Sequence, residues 1–217
     1  MIDIKIRGFE AADRPELRQL FGRAGEGSPV AELWGDPASE ASVYLDPYLN
    51  LEPESVFLAV AEGKLVGYLT GCRDSSKFPG EAERIERAIR AYRLFLRPAT
   101  AGFFGVAMVD TLLAAIRRRP TAGDFHDVRW PAHLHIAVAA EARGTGAAAA
   151  LMDGWLARLD EDGIGCHLQT QVENSRAVAF FTRMGFVPIG DAPVIAGMRY
   201  AGRRVHQLTM VRPGERT

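Results

Sequence analysis

The sequence predicts a mixed α/β fold: a central sheet with helices on its faces and a two-helix insert between the third and fourth strands. Three observations predict it. Short β-branched and aromatic runs alternate with segments of helical periodicity, in the order β-α-β-β-(insert)-β-α-β-α-β-β. Two of the strands flank a tight-turn dipeptide, the mark of an antiparallel hairpin. The stretch "PAHLHIAVAAEARGTGAAAALMDGWL" (Pro131 to Leu156) passes from a strand through two glycines straight into a helix.

The elements follow in order. "IDIKIRGF" alternates and is rich in isoleucine, so it reads as a first strand. In "ADRPELRQLFGRAG", Asp13 and Glu16 have capping-box spacing, and Leu17, Leu20 and Phe21 share a face, with Gly25 and Gly27 ending the helix. Residues 28–53 are broken by proline, glycine and small residues but carry Trp34, Tyr44, Tyr48 and Leu49, as loops that wall a site often do. "SVFLAVAEGKLVGYLTGC" is the hairpin, turning at Glu62-Gly63. The insert, 77–124, holds a helix with Ile85, Ile89, Tyr92 and Leu96 at helical spacing, supported by the pairs Glu83–Arg87 and Glu86–Arg90. A second helix, about 101–118, ends in "RRRP", where arginines compensate the helix dipole. A strand over 132–138, a helix over 144–160, the strand "GCHLQTQV", a helix over 174–184, a strand from Phe186 and a final strand in "RRVHQLTMVR" complete the pattern.

At 217 residues and 47% hydrophobic content, one domain over 1–217 buries a sufficient core without metals or disulfides, with 77–124 as its elaboration. Cys72 and Cys166 have neither metal-ligand nor redox spacing and read as free thiols of a reducing compartment. A net charge of −1 gives no field that attracts nucleic acid or an anionic membrane. The N-terminus lacks the layout of a secretory signal, and the longest apolar run, 101–116, contains Asp110 and falls short of the ~20 residues of a spanning helix. It reads as a buried or half-buried helix, and the chain as cytoplasmic.

In "ARGTGAAAALM" a helix begins on two glycines. A helix start presents unpaired N–H groups and positive dipole, and glycine lets a ligand approach closely, so this turn suits an anion such as pyrophosphate. It is neither a dinucleotide fingerprint nor a Walker loop. The run "LHIAVAAEARGTGAAAALMDGWL" resembles motif A of the GNAT superfamily of N-acetyltransferases, Gln/Arg-x-x-Gly-x-Gly/Ala after a strand ending in valine: Val138, Arg143, Gly146 and Ala148 take those positions. "QTQVENSRAVAFFTRMGFVPIG" resembles the family's motif B, with Asn174, a short helix and Met184-Gly185-Phe186.

The resemblance covers most of the chain outside the insert and implies a mostly antiparallel sheet. It also implies acetyl-CoA as acyl donor. Main-chain groups of Ile136, Ala137 and Val138 would pair with the pantetheine arm as an added strand. Arg143, Gly144, Thr145, Gly146, Ala147, Ala148 and Ala149 would hold the pyrophosphate, and Asn174 would contact the arm near the thioester. The acceptor would be an amine of a small molecule or peptide, and dimers are common in the family.

Along the strand, His133, His135 and Ala137 share one face, and Leu134, Ile136 and Val138 the other. Amide formation needs a base, and imidazole supplies one near neutrality with little tuning. "AHLH" resembles the paired-histidine strand of serotonin N-acetyltransferases, shifted by one residue toward the strand valine. "PAHLHI" is also similar to the acetyltransferase-like domain fused to some O-GlcNAc hydrolases. His133 and His135 are thus the candidate catalytic residues; structural histidines are the competing reading, and no third residue at ligand spacing suggests a metal. The family's proton-donating tyrosine, seven residues after Asn174, is Phe181 here, and its frequent glutamate base is Gln169. Neither exchanges a proton at neutral pH. Tyr44, Tyr48, Tyr68, Tyr200 and Cys72 remain as donors that the sequence does not choose among. The reading is an acetyl-CoA-dependent N-acetyltransferase acting by direct transfer in a ternary complex; the alternative is a catalytically inactive acyl-CoA-binding, sensor or interaction module. Acidic residues interleaved with Arg84 to Arg119 weigh against nucleic acid.

Overall fold

The computed structural model describes residues 3–24 and 34–214; the predicted helix stop at Gly25 and Gly27 lies outside them. The chain runs β1 (Ile4–Gly8), α1 (Arg14–Ala24), α2 (Pro37–Tyr44), α3 (Asp46–Leu51), β2 (Val56–Ala61), β3 (Lys64–Cys72), α4 (Glu81–Tyr92), α5 (Pro98–Ile116), β4 (Ala132–Val138), α6 (Ala147–Glu161), β5 (Cys166–Gln171), α7 (Ser175–Arg183), β6 (Val187–Ile189), β7 (Val194–Tyr200) and β8 (Arg203–Arg212). Eight strands pair in the order β1-β2-β3-β4-β5-β8-β6, with β7 added to β8. Every pair is antiparallel except β4–β5. The mixed, mostly antiparallel sheet is the predicted one.

Side-chain alternation divides the core between the two faces. Leu69, Leu134 and Leu168 pack with Leu151, Met152 and Trp155 of α6. Leu58, Leu65 and Tyr68 point the other way, onto Leu17, Leu20, Tyr48 and Leu49 of α1 and α3. Gly71 is required on the α6 side, because a Cβ there would lie 2.6 Å from the Trp155 ring. The hairpin turns as predicted: Glu62 and Gly63 both take positive φ, 51° and 77°.

Four sequence expectations change. The 28–53 segment, expected as an interrupted loop, carries α2 and α3 in its described part; Asp36 caps α2 by accepting from the Ser39 amide at 3.1 Å, with Pro37 next to it. Asp13 does not cap α1 but accepts from the Glu10 amide at 2.8 Å and pairs with Arg7 at 2.6 Å, closing a short 3₁₀ turn. The predicted helix start at Gly144 moves to Ala147, because Gly144 and Gly146 both hold positive φ. Strand β7 was not expected: Pro193 precedes it, and Gly197 at φ 81° accompanies a register shift against β8.

In the insert, helix α5 is half-buried, within the expectation: Phe104 and Asp110 are buried, whereas Val106, Met108, Val109, Leu112 and Ile116 are exposed. Its nineteen residues are long and apolar enough for a membrane span by composition. Asp110 nevertheless fixes it to β7, accepting from the Gly197 amide at 3.1 Å and pairing with Arg199 at 2.7 Å. Arg199 and the Gly197 amide hold the Asp110 carboxyl below the usual carboxylate range.

Candidate functional site

Strands β4 and β5 separate after two residues. Ala132 pairs with Cys166 and His133 with His167; from Leu134 to Val138, β4 keeps β3 on one side and, among the described residues, no strand on the other. Two parallel strands parting at their C-terminal ends leave the crevice where open α/β sheets take ligands. The free edge holds Ile136, Ala137 and Val138, three of the residues expected to meet pantetheine. It presents unpaired main-chain groups to an extended chain.

Directly beyond that edge comes the glycine turn. Gly144 and Gly146 have φ of 79° and 92°, and a Cβ built on either would meet nothing within 4 Å, so both face open space. Gly146 caps α6, whose first intrahelical bond runs from the Ala150 amide to the Gly146 carbonyl at 3.0 Å. The amides of Ala147, Ala148 and Ala149 belong to the first turn and lack helical carbonyls to bond. Thr145 is less free than expected, since its hydroxyl donates to the Ala142 carbonyl at 2.7 Å. Arg143 reaches the Ala24 carbonyl at 3.4 Å. Asn174 caps α7: its carboxamide oxygen accepts from the Ala177 amide at 3.2 Å, which leaves its Nδ2 group for any ligand. The open edge, the bare cradle and the donor-rich helix start together fit the donor the motifs imply.

The other wall of the crevice consists of side chains. A cavity of about 50 Å³ is bordered by Tyr48, Arg84, His133, His135, His167 and Gln169, among others. A larger one, about 300 Å³, adjoins it and shares Asp124, Phe125 and Gln169. The two expected histidines are both present in the first cavity but have different surroundings. Ser75 Oγ gives its one proton to the Pro131 carbonyl at 2.6 Å, so it accepts from His133 Nδ1–H at 2.6 Å. The remaining lone pair, on His133 Nε2, accepts from the Tyr48 hydroxyl at 2.8 Å. Among the described residues no hydrogen bond holds the His135 ring, which rests edge-on to Tyr48 and Tyr44.

The expectation of a histidine base needing little tuning is corrected here. Burial, with the nearby Arg84 charge, pushes His135 down to about 3. His133 is held well below its ordinary value by burial and by His135 and His167. Both rings are neutral at physiological pH. For His135, taking a proton costs about 5 kcal/mol more than for an unperturbed imidazole.

Sequence reasoning missed two neighbours, His167 and Arg84. His167 donates from Nδ1 to the Trp130 carbonyl at 2.7 Å and lies 5.7 Å, centroid to centroid, from His133. Period-two alternation puts His167 and Gln169 on one face of β5, and the parallel β4–β5 register, which the sequence does not encode, sets His167 beside His133. Four histidines, His126, His133, His135 and His167, line one cavity, yet among the described residues no set of three His, Cys, Asp or Glu side chains is placed to hold a metal ion. Of the proton donors left open by the sequence, Tyr48 is the one whose hydroxyl, among the described residues, hydrogen-bonds a histidine. Tyr44 donates to Glu81 at 2.6 Å, Cys72 is pushed up to about 12 by burial, and Tyr200 is exposed. Phe181 is core, and Gln169 donates to the Gly123 carbonyl at 2.8 Å, tying β5 to the insert.

A sheet opened between β4 and β5, with a glycine-started helix at the opening, is the arrangement expected from the resemblance to acetyl-CoA-using acyltransferases. The comparisons give the family: the model of the acetyltransferase (GNAT) family matches residues 15–186, and the chain belongs to that family of acetyl-CoA-dependent enzymes. The solved structure SsHAT is similar over 98% of both chains, at 23% identity and a TM-score of 0.61. The ribosomal-protein-S18-alanine N-acetyltransferase of Escherichia coli matches 99% of this chain and 96% of its own, at 15% identity and TM-score 0.55. A GNAT superfamily phosphinothricin acetyltransferase from Sinorhizobium meliloti, in complex with AcCoA, matches 98% of this chain and 89% of its own, at 17% and 0.59. At these identities the likeness is one of fold.

Proposed function

We propose that this chain transfers an acetyl group to an amine of a small molecule or peptide, directly, within a ternary complex. The observation that carries the reading is the position of the free β4 edge: it runs into the glycine cradle at one end and borders the histidine cavity along its side. Acetyl-CoA, when bound, supplies an activated acyl thioester. Amides of the β4 edge would hold the arm and polarise the thioester carbonyl, the cradle 143–149 would take the pyrophosphate, and Asn174 Nδ2 would meet the arm.

The environment separates the roles of the two histidines. His135, with no hydrogen-bond partner for its ring among the described residues, is the base; His133, bonded at both nitrogens, positions Tyr48 and the ring beside it. A base this weak does not strip an ammonium in advance. The acceptor therefore attacks as its neutral amine, the ammonium proton already lost to solvent, and His135 takes the second proton, once the attacking nitrogen has bonded to carbonyl carbon and become far more acidic. Tyr48, whose hydroxyl is held on His133 Nε2 in the same cavity, would be the proton source for the leaving thiolate, although thiolate leaves readily without one.

The test follows thiol release from acetyl-CoA over an amine and peptide panel, for the wild type, His133→Ala and His135→Ala. The expected outcome is acceptor-dependent release that falls roughly 10²–10⁴-fold in His135→Ala, the usual worth of a positioned base. The His133→Ala loss should be smaller. CoA binding without release from any acceptor would favour a non-catalytic acyl-CoA-binding module, the reading that Phe181 and Gln169 motivate.

A further inference from the structure

We propose that the acceptor carries a carboxylate beside its amine and that Arg84 is the residue that recognises it. The acceptor in this statement rests on the acetyltransfer reading; the carboxylate rests on Arg84. This arginine sits on α4 of the insert, is 7% exposed, and borders the cavity that His135 lines. One guanidinium nitrogen donates to the Val43 carbonyl at 2.5 Å, while the buried Nε has no partner. The group lies over the rings of Tyr48 and Phe78, at 5.8 and 5.4 Å. Among the described residues no carboxylate approaches it within 4.0 Å. The contrast with half-buried Arg14, Arg73 and Arg212 is plain: they pair with Asp46, Asp162 and Asp160. A buried cation without an anion is costly, and the usual resolution is a paired acid. Here the available place for that acid is the cavity.

The rest of the wall narrows the ligand class. Glu81 and Asp124 also border the cavity, and both already accept hydrogen bonds, from the Tyr44 hydroxyl and the Glu81 amide. A wall of both signs suits a zwitterion better than a simple anion or a simple amine. The volumes agree: about 50 Å³ admits a head group, and the adjoining cavity of about 300 Å³ admits the remainder. A guanidinium fork recognises a carboxylate through paired N–H donors. Binding it would also offset the positive charge beside His135, so that the correct acceptor strengthens its own base.

The experiment compares matched acceptors on the intact enzyme: α-amino acids, their amides and the corresponding decarboxylated amines, read as kcat/KM. In parallel, calorimetry measures N-acetyl amino acids against N-acetyl amino-acid amides, a readout that needs no turnover. The acid should exceed its amide roughly 10–100-fold, the worth of one charge-assisted hydrogen-bonded pair, and Arg84→Gln should bring the ratio near one. Arg84→Lys should restore part of it. An acid-to-amide ratio at or below one in the wild type overturns the proposal, as does an unchanged ratio in folded Arg84→Gln. If Arg84→Gln does not fold, the wild-type ratio decides. If no acceptor is acetylated, preferential binding of the N-acetyl acid still supports the carboxylate site while removing the acetyltransfer reading. Equal binding of acid and amide removes the site.

Discussion

The two walls of the β4–β5 crevice are built by different means. The wall proposed for the acyl donor is main chain: a strand edge, two glycines in positive φ and the first amides of α6, with alanine in nearly every other position. The wall proposed for the acceptor is side chain: Tyr48 from α3, Arg84 from α4, His133 and His135 from β4, and His167 from β5. A main-chain site tolerates only small residues at fixed offsets, so it leaves a short, spaced pattern in the sequence. A side-chain site gathers groups from segments far apart, held together by burial and hydrogen bonds, and leaves no pattern at all. The same difference makes the walls separately breakable.

The largest expected effect on binding or stability is on the donor wall. Gly146→Val places a β-branched side chain at φ 92° and fills the open cradle. It removes one or two amide-to-phosphate bonds, so the dissociation constant for CoA should rise roughly 100-fold. The open surroundings leave the core untouched, so the melting temperature should fall only by the cost of a strained residue. Ligand binding at Arg84 should be unchanged. Should Gly146→Val leave CoA affinity intact, the cradle is only a tight connection and the two-wall description fails.

Next in size is a change confined to the acceptor wall. Tyr48→Phe keeps the ring against Phe78 but deletes the hydroxyl on His133 Nε2, leaving a buried lone pair unsatisfied. The expected cost is about 1–3 kcal/mol of stability, with a fall in kcat and no change in CoA affinity. Urea unfolding alongside CoA titration checks both halves. A rise in the CoA dissociation constant would show that the walls are coupled rather than independent.

This division also explains what the sequence made legible. Strand β4 and the final strand were read residue for residue, because alternation and β-branching decide them locally. The cradle was read from Gly144 and Gly146, whose conformation no other residue adopts without strain. Helices α2 and α3 were not, because their cap at Asp36 and the two prolines at their starts resemble loop punctuation when read without tertiary contacts. Arg84 looked like one charge among many in "EAERIERAIR"; only the packing of α4 on α2 buries it. His133 and His135 were legible as a pair on one face, but their low basicity comes from burial beneath α2 and α3, which no spacing encodes.

The smallest expected effect tests that burial through pH. In the unfolded chain a histidine titrates near its ordinary value, about 6.5. In the folded chain His133, His135 and His167 are all held lower, His135 at about 3, with burial the largest cause in each. Between the folded and unfolded values the unfolded chain binds more protons, so stability falls as pH falls through that window. From pH 7 to about 5.5, each histidine held this low should subtract roughly 1 kcal/mol. The shifted carboxylates Asp13 and Asp110 are lowered from ordinary values near 3.8, so their losses come at more acidic pH and stay outside this range. Urea unfolding at the two pH values, for the wild type and for His135→Leu, isolates one share. The leucine variant should lose about 1 kcal/mol less over the interval than the wild type. Equal losses would mean that His135 is solvated and near its ordinary basicity. It would then be able to deprotonate an ammonium before attack, and the late-acting base assigned to the acceptor wall would have to be abandoned.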